Sequence, residues 1–73
     1  MEKVKFNYMV LKDKIDQNFK NRSEFAKQLG ITYTELSYKL NNKSAFTQNQ
    51  IALCIKLLGL SSADVHDCFF MLR

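Results

Sequence analysis

The stretch LGITYTELSYKLNNK, Leu29 to Lys43, decides how the chain is read. Leu29 closes one apolar-periodic run, and Gly30 directly after it supplies the left-handed backbone that ends a helix. Thr32 can accept a hydrogen bond from an orphan amide, so a second helix starts almost at once. Leu36 and Leu40, four apart, share the buried face of that helix. Tyr33, Thr34, Ser37 and Tyr38 project elsewhere. Asn41 and Asn42 then stop the helix, because asparagine tolerates the left-handed region. Spacing leaves open whether the two tyrosines stand in solvent or lean back on the bundle with only the hydroxyl wet.

Working outward, NRSEFAKQLG supplies the preceding helix, capped by Asn21 or Ser23, with Phe25, Ala26 and Leu29 facing inward. Residues 21–43 thus run helix, glycine, tight turn, helix, polar exit loop, which is the form of a helix-turn-helix. Ala26 is small where the two helices nearly touch, and Ile31 pins the turn to the core. Ahead of this lies a helix from about Asn7 to Phe19, with Tyr8, Leu11, Ile15 and Phe19 along one face. Lys12, Asp13, Lys14 and Asp16 read as its solvated side. Residues 1–6, MEKVKF, read as an arm. Beyond the exit loop, Thr47 caps a fourth helix striped by Ile51, Cys54, Ile55 and Leu58 and ended by Gly59. Ser61 or Ser62 caps a fifth. With no proline and no repeat, the pattern is one compact all-α domain of five helices over residues 1–73.

Composition narrows the function classes. Hydrophobic residues make up 47% of the 73, which excludes a disordered tail. The net charge of +4 leans weakly toward an anionic partner. Cys54 and Cys68 sit among apolar residues and read as buried free thiols. One histidine, His66, and no close cysteine pair leave no metal-ligand set, and His66 reads as a surface residue. No serine, cysteine or carboxylate has a catalytic companion, so neither an enzyme nor a cofactor nor a small-molecule substrate is expected. With no signal-like or membrane-length apolar run, a cytoplasmic location and no membrane partner are expected.

EFAKQLGITYTELSYKLNNK resembles the helix-turn-helix of the Cro and repressor proteins of temperate phages, and the similarity extends from about Leu11 to Leu58. The resemblance implies a five-helix, lambda-repressor-like domain that binds double-stranded operator DNA, often as a homodimer. By that resemblance Arg22 stands where relatives contact phosphate, and Tyr33, Thr34, Glu35, Ser37 and Tyr38 lie on the face of the reading helix. Lys39, Asn42, Lys43 and Ser44 fall along the nucleic-acid backbone at its exit. Phosphate contacts set register, whereas base contacts set sequence preference.

The chain departs from that pattern. Glutamine and arginine, the side chains that make two-point contacts to adenine and guanine, are missing from the outer face of Tyr33 to Leu40. Exposed tyrosines are more typical of protein–protein contacts. The family's usual Asn-Gly is replaced by Asn41-Asn42. Two partners are therefore expected for one surface. The leading expectation is operator DNA in a phage lysis/lysogeny switch. The alternative is an antirepressor or modulator role, docking on the DNA-binding domain of a cognate phage repressor. At the C-terminus, Phe69, Phe70, Met71 and Leu72 are consecutive, and one helix cannot bury all four against its own core. They form either an association surface for a homodimer or a chain end wrapped over the first helix and covered by the arm.

Overall fold

The computed structural model describes residues 4–73. Five helices follow one another: α1 (Met9–Asn18), α2 (Arg22–Leu29), α3 (Tyr33–Leu40), α4 (Gln48–Leu58) and α5 (Ser62–Phe69). Four of the five begin with a side-chain cap. Asn21 accepts from the Glu24 amide at 2.9 Å, so it and not Ser23 starts α2. Thr32, Thr47 and Ser61 each accept from the amide three residues on, while Glu35, Gln50 and Asp64 return a bond to the capping amide. Each reciprocal pair satisfies two donors that a bare helix end would leave exposed.

Helix ends are set as locally as the starts. Gly30 has φ 82, and the Ile31 amide donates back to the Ala26 carbonyl at 3.0 Å. This six-to-one bond closes α2 and presses half-buried Ile31 onto the core. Gly59, at φ 63, closes α4 the same way through Leu60 and Ile55. α3 ends in the same motif on Asn42, also at φ 63, with the Lys43 amide donating to Tyr38 at 2.8 Å.

α1 packs on α2, α4 and α5, and α2 packs on α3 and α4. Leu11 and Ile15 from α1, Phe25 from α2, Leu36 from α3 and the two cysteines meet in the centre, all essentially solvent-free. Each of the larger apolar chains contributes about 1.5–3 kcal/mol on burial. Tyr8, Phe46 and Phe69 extend this core, with Phe46 edge-on to both neighbours at 5.5 and 5.3 Å.

α1 starts two residues later than spacing suggests because Asn7 is used elsewhere. Its amide donates to the Met71 carbonyl at 2.7 Å, and its side chain takes the Met9 amide at 3.0 Å. With the Arg73 amide on the Lys5 carbonyl at 3.1 Å, this forms a short antiparallel ribbon around Phe6 and Leu72. Within the expected arm, residues 4–6 therefore belong to the folded body; residues 1–3 lie outside the described residues. The ring of Phe6 meets Phe70 edge-on at 6.5 Å.

Candidate docking face

α3 stands on two leucines. Leu36 and Leu40 are buried beneath it, while Tyr33, Thr34, Glu35 and Tyr38 are exposed. Tyr33 is 54% exposed and Tyr38 is 50% exposed, so both remain at the surface. Thr34, Lys43 and Ser44 are exposed beside them. The Lys43 ammonium lies over the Tyr38 ring, 5.5 Å from its centroid. That pairing holds the cation against an aromatic face at the helix exit.

Several side chains assigned to this face by sequence are used otherwise. Lys39 is a correction: it is buried, and its ammonium donates to the Ala45 carbonyl at 2.8 Å and lies 5.8 Å from the centre of the Phe46 ring. A long stem that can thread under the exit loop reaches a carbonyl there instead of solvent. Asn42 is a second correction, since its carboxamide is bonded twice to the backbone of Phe6. Glu35 remains exposed, but its carboxylate is folded back onto Thr32 in the capping box. Ser37 is half-buried, and its carbonyl accepts from the Asn41 carboxamide at 2.9 Å.

Arg22 begins α2 and is gripped by Asp16 of α1. Nε donates to one carboxylate oxygen at 3.0 Å and a terminal nitrogen to the other at 2.9 Å. The guanidinium holds the Asp16 carboxyl below its usual range, and the carboxylate raises Arg22 in return. The fork geometry fits a carboxylate or a phosphate equally well. Next to it, Lys12, Arg22, Tyr33, Ser37 and Asn41 line a small polar recess between α1 and α3. Lys12 and Asn41 were not expected there. The signal was weak but present: Lys12 lies four residues before Asp16, hence on the face of α1 that meets Arg22.

A family model described as "Protein of unknown function (DUF739)" matches residues 4–71. The chain belongs to the DUF739 family. No curated protein matches the sequence. The match takes in all five helices of the DUF739 domain and the residues that form most of its ribbon.

At the C-terminus of the DUF739 domain the four consecutive apolar residues divide. Phe69 is a correction to the expected association surface: it is 3% exposed and packed on Phe46, because it still belongs to α5. The helix stops there, with Phe70 as its C-cap at φ -125 and ψ 11, its amide still donating to the His66 carbonyl. Phe70 and Leu72 are 49% and 63% exposed, and Met71 is half-buried. Burial pushes the Cys54 thiol up to about 12 and also raises Cys68. His66 is on the surface beside Asp67 at 3.3 Å. Among the described residues there is no group of three potential metal ligands, and no helix is long and apolar enough to cross a membrane.

Proposed function

We propose that this domain is a regulator of the phage-repressor helix-turn-helix type whose α3 face docks on a protein partner, the DNA-binding domain of a cognate phage repressor, and alters its operator binding. The observation that carries this reading is how the cations around α3 are spent. Lys39 is buried, Arg22 is bound by Asp16, and Lys43 sits over Tyr38, whereas Tyr33 and Tyr38 each present about half their surface. DNA affinity comes largely from cations that neutralise phosphates. Half-exposed tyrosines offer a large amphipathic area at low entropic cost, the usual anchor of a protein interface. The order α2, Gly30, α3 and the resemblance of EFAKQLGITYTELSYKLNNK to phage regulators support the regulatory setting.

Operator DNA is the second reading. It is favoured by the net charge of +4 and by the recess that sets Lys12 and Arg22 among hydrogen-bonding groups. One experiment separates the two. The domain is titrated, at matched salt, against the repressor's DNA-binding domain and against the operator duplex beside its own gene. Docking predicts a complex with the repressor domain that Tyr33→Ala and Tyr38→Ala each weaken by about tenfold or more. A complex indifferent to both substitutions, or none, overturns it. A duplex shift with steep salt dependence establishes the DNA reading instead.

A further inference from the structure

The carboxamide of Asn42 does more than its backbone requires. At φ 63 it fills the left-handed position after α3, where glycine would serve with no side chain. Its Oδ1 accepts from the Phe6 amide at 2.8 Å, and its Nδ2 donates to the Phe6 carbonyl at 2.9 Å. Phe6 faces Leu72 in the ribbon, but the ribbon's bonds run between Asn7 and Met71 and between Arg73 and Lys5. In such a pair the amide and carbonyl of Phe6 point to the opposite edge. Asn42 meets both there, as a peptide unit of a neighbouring strand would.

The connection continues through side chains. Phe6 lies against Phe70 and Tyr8, and Tyr8 meets Phe46 edge-on. Phe46 in turn lies under the Lys39 ammonium, which reaches the Ala45 carbonyl. The exit loop from Asn42 to Phe46 is thus fastened at both ends to α3 and, through Phe6, to the ribbon. That loop carries Lys43, whose ammonium covers Tyr38.

We propose that Asn42 is a positioning residue for the docking face. By completing the edge of the ribbon it fixes the exit of α3, and it couples the exposed apolar surface at Phe70 and Leu72 to Tyr38 and Lys43. The coupling is a property of the free domain; only its effect on a partner rests on the docking role proposed above.

Asn42→Gly keeps the left-handed backbone and removes the carboxamide alone. Asn42→Asp keeps an acceptor for the Phe6 amide but opposes a carboxylate to the Phe6 carbonyl, until protonation supplies an O–H donor. Amide exchange and chemical shifts are measured by NMR on the free full chain. In Asn42→Gly the Phe6 amide exchanges about tenfold faster or more. The resonances of Tyr38, Lys43 and Ser44 move with it, while amides of α1 and α4 keep their protection. Asn42→Asp behaves likewise at neutral pH and returns toward the parent, compared at equal pH, as the carboxyl is protonated. Unchanged Phe6 exchange overturns the clamp, and released Phe6 with unmoved Tyr38, Lys43 and Ser44 overturns the coupling. If both move and affinity for the repressor domain stays the same, the coupling stands and the docking role of α3 fails.

Discussion

Replacing Lys39 by methionine tests whether this lysine belongs to the interior or to a binding surface. Methionine keeps the unbranched stem and deletes the charge-assisted bond to the Ala45 carbonyl, 2.8 Å long in the parent. Hydrogen bonds to charged groups contribute about 1.5–3 kcal/mol. Ala45 is exposed, so its carbonyl finds water once released, and the loss falls at the low end. The cation over Phe46 adds roughly 0.5–1 kcal/mol, offset by no longer burying an ammonium. A net loss of about 1 kcal/mol follows, which for a domain of this size lowers Tm by about 4–8 °C. Lys39→Ala also strips the buried stem and costs about 2–3 kcal/mol. Urea denaturation followed by circular dichroism reads both, and affinity for either partner is measured well below the midpoint. The reasoning is refuted if Lys39→Met leaves the midpoint where it was while flattening the salt dependence of binding, the mark of a surface phosphate contact.

Other outcomes can be checked on the free domain. With its thiol pushed up to about 12, Cys54 is thiolate in only about one molecule in ten thousand at pH 8. An aromatic disulfide reagent should therefore react with Cys54 and Cys68 at the rate of opening, and urea should accelerate it. Gly30→Ala introduces a Cβ that meets nothing within 4 Å, so its cost comes from φ 82 alone. That cost is about 1–2 kcal/mol, read as a lower thermal midpoint. Asp64 is lowered by the Ser61 amide and hydroxyl, and Asp16 by Arg22, so both carboxyls titrate lower in the folded chain than when unfolded. Their stabilisation is intact above about pH 4 and disappears as pH falls through the depressed folded values. Asp64→Asn should accordingly fall short of the parent at neutral pH, with the gap in urea midpoint closing in acid.

The features legible in the sequence are those whose physics is completed within a few residues. Thr32, Thr47 and Ser61 cap because their oxygens reach an amide three residues away, and Gly30 and Gly59 end helices by their own φ. Leu36 and Leu40 were readable from a spacing of four. The illegible features join distant parts of the chain. Nothing local distinguishes Lys39, which ends under the exit loop, from Lys43, which ends over Tyr38. Asn42 reads as a helix stop, and its bonds to Phe6 appear only when the ribbon is in place. Phe69 and Leu72 differ because α5 ends between them, a boundary that four consecutive apolar residues conceal. On the candidate face, the exposed tyrosines were among two open outcomes; the engagement of Arg22 by Asp16 was not foreseen.

The ribbon also orders events in time. Its pairing joins residues 5–7 to residues 71–73, far apart in sequence, whereas capped helices and the α2–α3 turn assemble from near neighbours. Contacts that bridge a long intervening segment form late, because the closure entropy precedes any reward. The capped helices and the α2–α3 turn can therefore gather before residues 5–7 meet residues 71–73. The loop behind α3 takes its final shape only once that pairing is made, so a folding chain is helical before the exit of α3 is fixed.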